Sequence, residues 1–293
     1  MRIPKTLLRN GWRSWHVSGA VVMAVLAVWA TLPAWRDIFQ IAVRDEESSH
    51  IFLVPIVFLW LVWVRRARVR QCRPVGHTAG PVIAAAGWLI SSVGYNNAIQ
   101  SFWHGGSLLV VLGCVISVVG LDVVKRFLPA VFVLVFLVPV PGMARQQIAI
   151  PLQTHTAQAT AVVFQMLGME IARSGNVLSL NGSEVGIAEA CNGLRMAFAL
   201  TLVCYAFTFS MPLRGYVRAI VLLASPLAAI GCNVMRLVPT VWIYGYAGPE
   251  VGDLFHDVSG WGMLVVAFLL LLGIISLLRW ALVPVTKYTL AYD

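Results

Sequence analysis

The chain has 293 residues, 59% of them hydrophobic and only 11% charged, with a net charge of +9. An ordinary soluble domain carries about 25% charged residues, so the soluble-enzyme classes are excluded and the sequence reads as a polytopic membrane protein. The positive charge does not indicate nucleic acid, because the basic residues stand in short clusters between apolar segments, as topology signals do.

A spanning helix needs roughly 20 mostly apolar residues. Arg2, Lys5, Arg9 and Arg13 precede the first such segment, 17–35, which reads as a retained signal-anchor. A polar loop with Arg36, Asp37, Arg44, Asp45, Glu46 and Glu47 leads to the second span, 49–64, which ends in the basic run RRARVRQCR. The third span is 78–95. The uncharged loop NNAIQSFWHGG leads to the fourth, 107–121. Lys125 and Arg126 open the fifth, 126–142, which closes on Pro139-Val140-Pro141-Gly142.

The segment 143–192 differs. Residues 148–167 suit a helix, but Gln153, Thr154, His155, Thr156, Gln158, Thr160 and Gln165 make it too polar for an easy span, so it is expected at the interface or packed among the spans. Asn181-Gly182 stands between two short β-prone runs. Both positions of such a turn favour positive φ, which predicts a β-hairpin over 177–187. The sixth, seventh and eighth spans are 193–209, 219–244 and 258–278, with a polar loop over 245–257. The expected fold is a single all-α polytopic domain over 1–293, with about eight transmembrane helices and a short extracytoplasmic amphipathic helix and β-hairpin before the sixth.

Orientation follows from charge. With the N-terminus inside and the 148–167 helix not spanning, the inner segments collect the four N-terminal cations, the arginines of 65–73, Lys125, Arg126, Arg214, Arg218, Arg279 and Lys287. The outer segments then hold only Arg36, Arg44, Arg145, Arg173 and Arg195, a clear positive-inside bias. This arrangement puts Cys191 and His256 on the outer face.

There are five cysteines with no CxxC spacing, so neither a disulfide framework nor a metal cluster is indicated, and no cofactor is expected. Cys114, Cys204 and Cys232 lie in apolar segments as small hydrophobes. Cys72 lies in the arginine-rich loop. Cys191 alone sits in a polar segment at a predicted membrane boundary, where a helix N-terminus capped by Asn192, with Arg195 four residues on, favours the nucleophilic thiolate. Arg236 stands inside an apolar span, where a charge costs at least about 2.5 kcal/mol unless it faces a polar interior. Asn233 is three residues earlier, on the same helix face. His256 precedes the last span, with Glu250, Asp253 and Asp257 as candidate orienters. A thiol, a histidine and an arginine at one membrane face suit covalent catalysis. Cys232, one turn from Arg236, is a rival but more deeply buried thiol.

EACNGLR, then NVMR in a later span, then His256 before a glycine-containing final span, resemble the signatures of the exosortases, within the exosortase/archaeosortase family of membrane cysteine transpeptidases. SSHIFLVP, FLVPVPG, IPLQTHTAQAT and GNVLSLNG resemble further family features in the same order, over about 45–278. The resemblance implies Cys191 as nucleophile with Arg236 and His256 as partners. Glu189, Asn192, Arg195, Asn233 and His50 are supporting candidates. Asn192 departs from the serine of many relatives, and archaeal relatives usually carry arginine where His256 stands.

The resemblance further implies substrates that are exported proteins with a C-terminal tail of the Pro-Glu-Pro type, cleaved at the outer face of a bacterial inner membrane through a thioacyl intermediate. The acceptor is left open, and membrane lipids are the other expected partner. The rival readings are a transporter or lipid-handling protein, with Arg236 binding an anionic substrate, and a structural assembly scaffold.

Overall fold

The computed structural model describes residues 11–186 and 194–280. The chain divides into two compact units, Met1–Pro141 and Gly142–Asp293.

In the first unit, α1 (Ser14–Ala30) and α2 (Leu32–Arg44) meet at a bend of 80°. The span expected over 17–35 is therefore broken at Thr31. Pro33 is the cause: in a continuous helix it would donate nothing to the Trp29 carbonyl and its ring would collide with it. Thr31 fixes the corner, donating from Oγ1 to the Ala27 carbonyl (2.7 Å) and accepting from Trp35 Nε1 (2.9 Å). The polar loop expected after residue 36 is instead helical. α2 buries Ala34, Ile38 and Ala42 at four-residue spacing and leaves Arg36 and Arg44 exposed. A 3-10 turn (Glu46–Phe52) then feeds α3 (Leu53–Val64), and a second (Arg66–Gln71) follows it.

The tightest contact is between α4 (Ala79–Asn96) and α5 (Gln100–Arg126). Gly80, Gly87 and Gly94 recur every seven residues on α4, and Gly106, Gly113 and Gly120 do so on α5. The antiparallel helices press these rows together, so that a Cβ on Gly113 would fall 2.4 Å from the Ala84 nitrogen. In a bilayer, where apolar burial does not drive helix pairing, such backbone proximity supplies the packing. Ser91 and Ser107 share a hydrogen bond across the seam (3.0 Å). The loop expected before 107 is mostly the start of α5. Gly120 (φ 82°, ψ 170°) kinks that helix near its end. His104, fully buried on α5, donates from Nε2 to Asp37 on α2 (2.9 Å). The fifth expected span shortens to α6 (Leu128–Val133) and a 3-10 turn (Leu134–Leu137), which Pro139 and Pro141 prevent from continuing.

The second unit begins with α7 (Gly142–Met166) and a three-stranded antiparallel sheet, β1 (Ala172–Ser174), β2 (Val177–Leu180) and β3 (Ser183–Gly186), in the order β1-β2-β3. The expected hairpin is present: Asn181 (φ 52°) and Gly182 (φ 80°) form its turn, and Leu178 pairs with Val185. β1 was not expected. Its two-residue link to β2 is Gly175-Asn176, with positive φ at Gly175 only. So small a sheet is stable only against other elements. Leu178, Leu180 and Val185 pack on Ala157, Ala161 and Phe164 of α7 and on Leu237 and Val241 from a later helix. Each fully buried Leu or Phe contributes about 1.5–3 kcal/mol. α7 is thus a packed helix, and its polar face serves the sheet: Gln153 and Thr154 hydrogen-bond Asn176 at 2.8 and 3.0 Å.

α8 (Leu194–Ser210) and α9 (Gly215–Ala247) form an antiparallel hairpin around Met196, Leu200, Cys204, Val217, Val221, Ala229 and Cys232. α9 tolerates Pro226 because the Ser225 hydroxyl donates to the Leu222 carbonyl (2.9 Å) that the proline leaves without a donor. Gly248 (φ 89°) turns the chain, and Pro249 starts α10 (Pro249–Trp280) at once. The loop expected over 245–257 is therefore the end of one helix and the start of the next.

Among the described residues, three helices are long and apolar enough to cross a membrane, Glu47–Val64, Gln100–Arg126 and Gly215–Ala247. The number rises to five if α1 with α2, and Leu128–Leu137 with Gly142–Met166, each count as one. The count of eight is not reached on this basis. α8 has only 17 residues, and the apolar stretch of α10 is Phe268–Leu277.

Candidate active site

Arg236 lies on α9 where two cores meet. Ala229 and Cys232 belong to the core shared with α8, and Leu237 and Val241 to the core under the sheet. Packing on both sides leaves Arg236 only 6% exposed. Its Nη2 donates to Asn233 Oδ1 (3.0 Å), as the three-residue spacing predicts, and Asn233 is itself fully buried. Thr240, one turn on, donates from Oγ1 to the Arg236 carbonyl (2.8 Å). The Asn233 contact directs one arm of the guanidinium, a planar fork whose donors suit an anion or a carbonyl oxygen.

Two contacts set the helices beside it in register. The Thr201 and Ser225 hydroxyls meet at 3.1 Å, so counting back along antiparallel α8 brings Leu194 level with Cys232. Tyr244 hydrogen-bonds Asp253, and a Cβ on Gly252 would touch the Tyr244 ring, which brings His256 level with Thr240. At 1.5 Å per residue, the first residue of α8 and His256 each stand about 6 Å along α9 from Arg236, on opposite sides of its level.

His256 is half-buried on α10, not in a loop, and its carbonyl accepts from Ser259 Oγ (3.1 Å). Of its three candidate orienters, Asp253 is engaged by Tyr244, and Glu250 sits in the first turn of α10, where a carboxylate suits the positive helix end. The Asp257 side chain lies outside the described residues. Arg195 is half-buried in the first turn of α8. Cys191, Asn192 and Glu189 lie outside the described residues, Cys191 three positions before Leu194. His50 belongs to the unit Met1–Pro141, where its Nδ1 donates to the Glu47 carbonyl (3.0 Å).

The other thiols are poorly placed for chemistry. Cys72, Cys204 and Cys232 are buried, and Cys114 is half-buried. Burial, and secondarily the Asp122 carboxylate, hold the Cys72 thiol above its ordinary pKa. Among the described residues, no three His, Cys, Asp or Glu side chains converge as metal ligands. Thr156 and Thr160, one turn apart on α7, bury hydroxyls with no partner among the described residues. Sequence reasoning missed this pair, although the four-residue spacing of polar β-branched residues in a packed helix was visible.

No curated protein and no solved structure matches the chain. The profile of the transmembrane exosortases matches residues 35–273, most of the chain, through the sheet and the helices that carry Arg236 and His256. The chain belongs to the transmembrane exosortase family.

Proposed function

We propose that this protein is a membrane cysteine transpeptidase or endopeptidase that removes the C-terminal sorting tail of exported proteins at the outer face of the bacterial inner membrane. The observation that carries the reading is the buried, Asn233-oriented Arg236, flanked along α9 by the start of α8 and by His256, in a chain of the exosortase family. Family membership favours the sorting reaction over transport or a scaffold role.

In the proposed reaction the Cys191 proton passes to His256, and the thiolate attacks the scissile carbonyl. Arg236 donates to the oxygen as negative charge develops on it, the kind of preorganised stabilisation that is often the largest catalytic contribution. The C–N bond breaks, and His256 returns its proton to the leaving amine. A thioester on Cys191 remains. His256 then takes a proton from the acceptor, an amine or water, as the acceptor displaces the thiolate. A substrate anchored by its own helix meets the enzyme in two dimensions, which raises its effective concentration.

The test is processing of a tailed substrate by membranes carrying wild type, Cys191→Ala, Arg236→Lys or His256→Ala. Loss of processing in all three variants, with normal accumulation of protein, supports the reading. Full processing by Cys191→Ala removes the nucleophile, and full processing by Arg236→Lys removes the guanidinium-specific role.

A further inference from the structure

Charge in the unit Met1–Pro141 is sorted along α3. Asp45, Glu46 and Glu47 precede its start, whereas Arg65, Arg66, Arg68, Arg70 and Arg73 follow its end. Lys125 and Arg126 join these arginines from the last turn of α5. Contacts tie the two segments together: Arg68 Nη1 donates to the Arg126 carbonyl (3.3 Å), and the Arg73 backbone nitrogen donates to Asp122 Oδ2 (3.1 Å). Trp60 and Trp63 are exposed on the last turns of α3, and the Arg66 guanidinium lies 4.3 Å over the Trp63 ring. Exposed tryptophans followed by arginines at the end of an apolar helix mark the depth of lipid headgroups.

A cavity of about 370 Å³ opens here, between the Arg66–Gln71 turn, the extended segment after Cys72 and the end of α5. Its wall is built rather than incidental. The chain at Val75 lies so close to α5 that a Cβ on Gly120 would fall 2.0 Å from the Val75 carbonyl oxygen. Arg73, His77, Asp122 and Arg126 line the cavity, with Gln71 and Leu121. The acid is already engaged, since Asp122 accepts from Arg126 Nε (3.2 Å) and from the Arg73 nitrogen. Arg126 also donates from Nη1 to Gln71 Oε1 (3.5 Å), and the donors of Arg73 and His77 remain available beside its charge. The Arg73 guanidinium has no partner among the described residues, and His77 Nδ1 accepts from the Ala79 nitrogen (3.0 Å), which leaves its Nε2 proton to donate.

We propose that this cavity binds the phosphate of an anionic phospholipid headgroup, held by Arg73, His77 and Arg126. Basic pockets at helix ends bind such headgroups, and arginine forks match phosphate oxygens. The volume lies at the low end of small-ligand sites, roughly 300–1,000 Å³, which suits a phosphoglycerol group. A free phosphate offers the same oxygens. The lipid is the favoured source because the tryptophans set headgroup depth and Val75, 70% exposed beside the cavity, gives acyl chains an apolar edge.

The test is native mass spectrometry of the full chain released from nanodiscs of phosphatidylglycerol and phosphatidylcholine in equal parts. The expected result is retained phosphatidylglycerol. Its affinity should fall roughly tenfold in Arg73→Gln, as for loss of one charge-assisted contact, and measurably in His77→Gln. Arg66→Gln, which removes the same charge outside the cavity, should change it less than about twofold. Excess inorganic phosphate should not displace the lipid. Equal retention of both lipids, equal losses in Arg73→Gln and Arg66→Gln, or complete displacement by inorganic phosphate would each overturn the proposal. Arg73→Gln removes no side-chain hydrogen bond or ion pair among the described residues, and an unchanged unfolding temperature confirms that the comparison is of folded protein.

Discussion

Arg236 and Asn233 form a hydrogen-bonded pair, Nη2 to Oδ1 at 3.0 Å, on one face of α9, and neither is more than 6% exposed. Hydrogen bonds to charged groups contribute about 1.5–3 kcal/mol, so the pair fixes one geometry of the guanidinium. Asn233→Ala leaves the charge in place but releases its direction. If Arg236 acts on the reacting carbonyl, the variant should lose about 10- to 100-fold in processing rate. Arg236→Lys should lose about 10²–10³-fold, as for removal of an oxyanion donor. Initial rates on a tailed substrate, normalised to folded protein, check both numbers.

The glycine seam between α4 and α5 makes a stability prediction independent of chemistry. A Cβ on Gly113 would meet the Ala84 nitrogen at 2.4 Å and the Gly80 carbonyl oxygen at 2.7 Å, both backbone atoms that cannot rotate away. Gly113→Ala should therefore cost at least about 2 kcal/mol, whatever it adds in helix propensity. Gly105, on the same helix with open space around its Cβ, should accept alanine. Thermal unfolding in detergent should show a clear drop for the first and little change for the second.

What the sequence made legible depended on local chemistry. Asn181-Gly182 carries its own turn preference and was read correctly, as was the shared face of Asn233 and Arg236. Gly175-Asn176 carries the same kind of signal, but the three-residue β1 it serves is too short and polar to suggest a strand. Elements were misjudged where polarity stood in for exposure. Arg36, Asp37 and Arg44 suggested a loop, yet α2 is amphipathic: it leaves Arg36 and Arg44 exposed and gives Asp37 a buried partner in His104. Glu250, Asp253 and His256 also suggested a loop, yet Gly248 alone separates the end of α9 from Pro249, the first residue of α10. The heptad glycines were visible as residues, but their meaning depends on two helices being antiparallel and in register.

Thr156 and Thr160 bury hydroxyls that meet no partner among the described residues. An unsatisfied buried hydroxyl costs about 1–3 kcal/mol, and valine has nearly the same shape. Thr160→Val should therefore raise stability by about 1 kcal/mol rather than lower it. Chemical denaturation of purified protein reads the sign directly. A loss of stability would show that the hydroxyl is satisfied.

Cys72 gives a pH-dependent prediction. Burial, then Asp122, raise its pKa in the folded chain, so the folded state holds the proton at pH values where the unfolded state has released it. The unfolded state then binds fewer protons, and stability must fall as pH rises above the ordinary thiol value, about 8.5. Cys72→Ser should flatten the loss between about pH 8 and pH 10. Unfolding temperatures across that window check the sign. In the native protein Cys72 should also resist thiol reagents near neutral pH.

The central claim is that Cys191 carries the acyl group of a cleaved tail. Mass spectrometry of tryptic peptides from protein quenched in acid during turnover of a tailed substrate tests it most directly. The account predicts a thioester-linked substrate fragment on the peptide containing Cys191, absent in Cys191→Ala and strongly reduced in His256→Ala, where acylation loses its proton carrier. A processed substrate with no adduct on Cys191, and undiminished processing by Cys191→Ala, would contradict it.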